Sequence, residues 1–153
     1  MRSQPELTLG WREWIALPDL GVHRIKAKLD TGARSSALHA FDLERTRDGS
    51  GEERVRFTIY PYQRDSSRPV VADAPLAGER WVRNSGGEQE LRPVIITHIQ
   101  LPRARWSIEL TLARRDVMGF RMLLGRQALR GRALVDPGRS FLSRRKKRRR
   151  PKV

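Results

Sequence analysis

The sequence predicts an all-β fold with one short helix close to the C-terminus. Three observations carry this expectation. Apolar and polar residues alternate at period two in segment after segment, the pattern of strands with one buried face. The segments are short, and strong turn signals separate them: RDGSG (Arg47–Gly51), NSGG (Asn84–Gly87) and DPG (Asp136–Gly138). Helical patterning is confined to RQALRG (Arg126–Gly131), a turn or two closed by glycine. Some eight or nine strands in a sandwich or barrel are expected.

The elements follow in order. Leu7–Pro18, with Trp11, Trp14, Ile15 and Leu17, reads as a strand with an irregular edge. Val22–Leu29 sets Ile25, Ala27 and Leu29 on one face and Arg24, Lys26 and Lys28 on the other. Ala37–Arg45 is a further strand. After the RDGSG turn, Val55, Phe57 and Ile59 alternate with charged or polar neighbours and form its hairpin partner. Pro69 and Pro75 make Gln63–Gly78 a loop with a short strand. Arg80–Leu101 reads as strand, NSGG turn, strand. Trp106, Ile108, Leu110 and Leu112 alternate cleanly. Met122–Leu124 is a short buried run, and ALVDPGRSFL (Ala133–Leu142) supplies the last strand around a turn.

Composition narrows the function. The chain has 153 residues, 32% of them charged, and a formal net charge of +15. Eight of the cations lie in SRRKKRRRPKV (Ser143–Val153), yet the body stays net positive without them. A basic field draws nucleic acid, anionic membrane or acidic polypeptide. The absence of cysteine excludes disulfides, thiol catalysis and thiolate metal sites. No signal core and no run of membrane-spanning length is present, so a soluble, cytoplasmic protein is expected. The expected organisation is a flexible start over residues 1–8, a single domain over 9–142, and a disordered basic tail over 143–153.

One stretch invites chemistry. IKAKLDTGARSSALHA (Ile25–Ala40) ends an alternating strand on Asp30 and continues at once with Thr31, Gly32 and Ala33. An Asx-type turn with glycine explains the tripeptide alone. A catalytic carboxylate at a strand end explains it too. MLLGRQAL (Met122–Leu129) is the kind of segment that packs closely beside such a strand, two apolar residues and a glycine before a short helix.

LDTGARSSALHA together with MLLGRQAL resembles the retropepsin-like aspartic peptidases. The blocks GWREWIALPDLG, RIKAKLDTGARSSALHAFDLE, FRMLLGRQALRGR and LVDPGRSFL, spread over Leu9–Leu142, resemble more closely a bacterial group labelled "ATP-dependent zinc protease" and associated with RimK-type glutamate ligases. The resemblance implies a retropepsin-like barrel. It implies Asp30 as the catalytic carboxylate, supported by Thr31 and Gly32, with Ala33, Leu124, Gly125 and Arg126 shaping the loop. It implies a homodimer in which Asp30 of each subunit faces its mate. Two such carboxylates share one proton, one activating water and the other protonating the amide. It also implies an acidic or polyglutamylated protein tail as substrate, and a RimK-type ligase as an associated protein.

Residue chemistry refines these expectations. An in-chain second carboxylate would be Asp116 or Asp136, each equally well explained as a turn residue. The resemblance also implies a flap with Asn84, Gly86 and Gly87 at its tip; read from the residues alone, NSGG is an ordinary hairpin turn. Arg34 and Ser35 follow the loop. A cation two residues past Gly32 would favour acidic substrate, with Arg114, Arg115, Arg121 and Arg126 adding to the field, although Arg126 is equally suited to a structural ion pair. No HExxH is present, and His23, His39 and His98 share no ligand spacing, so no metal is expected. No GxxxxGK[ST] loop is present, so ATP is not expected either. The tail would contact RNA or the ribosome, or remain a solvated appendage; it has no aromatic residue for base stacking. A noncatalytic basic binding module, or a ligase-regulating subunit, is the rival reading.

Overall fold

The computed structural model describes residues 5, 7–62, 67–84, 86–115 and 119–144. It is a six-stranded closed barrel with two small appended sheets. In chain order the strands are β1 Thr8–Gly10, β2 Arg12–Leu17, β3 Val22–Asp30, β4 Ala37–His39, β5 Phe41–Arg47, β6 Glu53–Ile59, β7 Val70–Pro75, β8 Gly78–Arg83, β9 Gln89–Leu101, β10 Ala104–Ala113, β11 Met122–Gly125 and β12 Leu134–Asp136. A 3-10 turn, Pro18–Leu20, links β2 to β3, and the helix α1 spans Arg126–Leu129.

The barrel runs β10-β4-β11-β3-β2-β9 and closes by the long β9–β10 pairing. β8 extends it as the hairpin mate of β9. β5-β6-β7 form a three-stranded flanking sheet, and β1 pairs parallel with β12, joining the two ends of the chain. Closure abolishes most free strand edges. The alternating residues meet inside: Ile25, Leu38, Ile99, Leu110, Leu112, Met122 and Leu124 are fully enclosed, and Val55 and Phe57 of the flanking sheet join the same core. Burying one such side chain stabilises the fold by about 1.5–3 kcal/mol.

The strand count among the described residues is twelve rather than eight or nine. Leu7–Pro18 divides because Trp11 leaves the ladder; its amide bonds the Arg139 carbonyl at 2.8 Å, and its carbonyl accepts from Leu29 N. Ala37–Arg45 divides at Ala40, where the chain leaves the barrel for the flanking sheet and Asp42 takes a positive φ of 52°. Local alternation persists through such breaks, so periodicity alone joins the pieces.

At the edges of the body, Thr8 lies in β1, the Leu7 carbonyl accepts from Leu134 N at 2.9 Å, and Ser143 is anchored to Glu13. Residues 145–153 of the basic tail lie outside the described residues.

Candidate active site

β3 is nine residues long and ends on Asp30. β11 runs parallel beside it, setting Leu124 against Leu29 and Gly125 against Asp30. The two motifs singled out from the sequence, nearly a hundred residues apart, are thus adjacent strand ends.

Asp30 is half-buried. Its Oδ1 accepts a hydrogen bond from Gly32 N at 3.0 Å, and Ala33 N bonds the Asp30 carbonyl at 3.1 Å, which closes the turn. A side chain on residue 32 would begin 3.2 Å from that carboxylate oxygen, so glycine keeps the approach open. Thr31 is exposed, and its hydroxyl makes no hydrogen bond among the described residues.

The bracing comes from β11 and α1. Arg126 N donates to the Ala33 carbonyl at 2.8 Å, Gln127 N to the Arg34 carbonyl at 3.2 Å, and the Arg126 guanidinium to the Gly32 carbonyl at 3.1 Å. Arg126 therefore serves the loop through a carbonyl, and among the described residues it makes no ion pair. Gly125 admits no side chain: a Cβ there would sit 2.7 Å from the Ser35 carbonyl carbon and 2.9 Å from the Ala33 oxygen.

Ser36 is the bracing residue that sequence reasoning missed. It is buried; its Oγ accepts from Gly125 N at 3.1 Å, and its carbonyl accepts from Thr111 N and Thr111 Oγ1 at 3.0 and 2.9 Å. The signal available was the second serine of RSSAL, a hydroxyl placed just before an apolar strand.

Asp30 opens into a cavity of about 600 Å³. Ala33, Arg34 and Ser35 form one wall. The β8–β9 hairpin forms the other, with Trp81, Val82 and Asn84 at its lining. Asn84 organises the hairpin tip: its Oδ1 accepts from Gly86 N and Glu88 N at 3.0 and 3.1 Å, and Gly87 N bonds its carbonyl. Gly86 and Gly87 shape the turn but do not line the cavity. Five arginines reach this space (Arg34, Arg80, Arg83, Arg92 and Arg115) against two acids, Asp30 and Glu90. Arg80 is ion-paired with Glu109. Among the described residues no ion pair engages Arg34, Arg83 or Arg115.

The other candidates fall elsewhere. Asp136 caps the β12 turn through Gly138 N at 3.0 Å and does not line the cavity. Asp116 lies outside the described residues. Arg114 lends its backbone amide to Glu90, while Arg121 bonds His39 Nδ1 and lies over Phe41. His23 is exposed, His39 is buried against the Arg114 carbonyl, and His98 pairs with Asp19. Among the described residues no three His, Cys, Asp or Glu side chains gather in a way that would hold a metal ion. No helix among them is long and apolar enough to cross a membrane.

Residues 8–146 match the family model of RimB-like proteins, described as the retropepsin-like aspartic endopeptidase RimB. The chain belongs to that family. It is 43% identical over 129 residues to a probable alpha-L-glutamate ligase of Desulfotalea psychrophila, covering 84% of this chain and 28% of the relative. It is 42% identical over 139 residues to another of that description from Shewanella pealeana, covering 91% of this chain and 30% of the relative. The chain thus matches less than a third of the length of those ligase-named proteins. The crystal structure of a Legionella pneumophila protein of unknown function superposes with a TM-score of 0.75 at 26% identity, over 91% of this chain and 99% of the other.

Proposed function

We propose that this chain is an aspartic endopeptidase that hydrolyses peptide bonds in an acidic, glutamate-rich protein tail. The observation that carries the proposal is the setting of Asp30, an aspartate at a strand end, open to a cavity whose lining carries five arginines. In the reaction one carboxylate takes a proton from water as the water attacks the carbonyl carbon. A protonated partner carboxyl passes its proton to the departing amine. The excess of cations along the cavity would hold an acidic substrate across that centre.

The partner carboxylate is Asp30 of a second copy, in an isologous dimer. Glu90 is the other acid lining the cavity within one chain, so it is the alternative donor. The relatives named as glutamate ligases support a source for the substrate: a tail extended by a RimK-type ligase, as on a ribosomal protein.

The test is mass spectrometry of an oligoglutamylated peptide incubated with wild type and Asp30→Asn. Wild type shortens the peptide, and the variant leaves it intact. Equal cutting by both would discard Asp30 as the catalytic group. Excess Asp30→Asn protein mixed with wild type should suppress activity through mixed dimers. If it does not, and Glu90→Gln is inactive, the second carboxylate lies within the chain.

The ligase names also favour a second reading, a noncatalytic module that docks on a ligase or on RNA. Association with either partner that survives Asp30→Asn, in the absence of any cutting by wild type, would select it.

A further inference from the structure

We propose that Arg92 is the anchor of a pocket for an acidic side chain, beside Asp30 in the same cavity. Arg92 stands on β9, two residues before the buried Val94 and on the face opposite the core residues Ile95 and Ile99, and its side chain is only 7% exposed. A buried guanidinium is costly unless its N–H groups are bonded. Here that condition is incompletely met. Among the described residues the carboxylate paired with it, Glu90, lies 3.7 Å from Arg92 Nη2, beyond hydrogen-bond length, and Arg92 Nε has no partner. Glu90 is itself held from the other side by the Arg114 amide at 3.5 Å.

Nε is sealed from the cavity, so the edge that lines it is the pair of terminal Nη nitrogens, a fork that can donate to both oxygens of a carboxylate side by side. Arg34, Arg83 and Arg115 line the same space without ion pairs among the described residues, so the field around the fork attracts anions. A glutamate or aspartate side chain of a peptide lying past Asp30 meets both requirements. A neutral glutamine, alike in shape, would leave the guanidinium charge uncompensated.

As a statement about cleavage the inference rests on the peptidase reading. As a statement about binding it does not, and the experiment separates the two. Fluorescence anisotropy of a labelled oligoglutamate peptide and its oligoglutamine counterpart is measured on the full chain carrying Asp30→Asn, so that nothing is consumed. The expected preference for glutamate falls by about 30-fold or more in Arg92→Met. Arg92→Lys keeps the charge without the planar fork and should lose about 10-fold; it also serves if Arg92→Met fails to fold. Arg103→Gln removes one exposed cation at the far end of β9 and should leave the preference in place. An unchanged preference in a folded Arg92 variant overturns the pocket, as does an equal loss in Arg103→Gln, which would assign selectivity to net charge. Glutamate-selective, Arg92-dependent binding by a chain that cuts nothing would leave the pocket standing and remove the peptidase reading. Cutting by wild type with a preference indifferent to Arg92 would do the reverse.

Discussion

Glu13 and Asp30 stand on neighbouring antiparallel strands of one barrel and meet opposite fates. Glu13 is entirely buried, and every contact its carboxylate makes is a donor. It takes Gly10 N at 2.6 Å, Leu142 N at 2.8 Å, Ser143 N at 3.2 Å and Ser143 Oγ at 2.7 Å. Three of those donors come from the chain just beyond β12, so the carboxylate fastens the C-terminal segment to the barrel wall. Asp30 is half-buried, accepts one backbone hydrogen bond, and faces a cavity. A carboxylate whose lone pairs are all taken by fixed donors is structure. One with an oxygen left toward open space is available for a proton.

Exchanging each acid for its amide tests that contrast most sharply. Asp30→Asn should lower peptide hydrolysis by about 10⁴-fold, the loss of a general acid–base group. Its melting temperature should barely move, because the amide oxygen can still accept from Gly32 N. Glu13→Gln should do the converse. Its NH₂ group faces donors instead of accepting from them, which costs about 3 kcal/mol of stability. Thermal melts and peptide cleavage on the same two preparations check both. A Glu13→Gln protein of normal stability would break the contrast.

Gly125→Ala should move both properties together. The added methyl meets backbone of Ser35 and Ala33, neither of which can swing aside. Overpacking of this kind costs about 1–3 kcal/mol. Because Gly125 lies in register with Asp30, the same displacement shifts the carboxylate, so activity should fall further than the melting temperature predicts. Equal activity per folded molecule would show that the loop tolerates displacement.

Much of this was legible in the sequence because it depends on local rules. Period two marks β3 and β10, and the strand ending on Asp-Thr-Gly and the apolar pair before Gly125 mark the loop and its support. The NSGG turn marks the hairpin whose tip Asn84 organises. Glu13 does not stand out among the apolar members of Leu7–Pro18. Yet Glu13, Ile15 and Leu17 share one parity, so an acid stood on the buried face of an alternating strand. Arg92 carries no such signal, because its parity on β9 is that of the exposed Ile96 and Gln100. What no local pattern contains is the partner. That three of the four donors to Glu13 lie some 130 positions away, or that Glu90 stops short of Arg92, follows from tertiary packing alone.

A third carboxylate separates hydrogen bonding from burial and gives the smallest effect. Asp19 Oδ2 accepts from His98 Nδ1 at 2.7 Å and from His98 N at 3.0 Å, with Arg105 near its other oxygen, yet the pair is more than two-fifths exposed. The His98 hydrogen bonds hold the Asp19 carboxyl below the usual carboxylate range, against a small opposing effect of burial. A depressed acid stabilises the fold above its unfolded pKa, near pH 4, and that contribution fades as pH falls through the folded value. Solvent screening keeps it under about 1 kcal/mol. Asp19→Asn should therefore melt slightly below wild type at pH 7, and the gap should narrow as pH falls below about 4 and through the depressed folded value. Glu13 has comparable bond lengths without the exposure. If Asp19→Asn cost as much as Glu13→Gln, the donors and not their burial would set the value of a satisfied carboxylate.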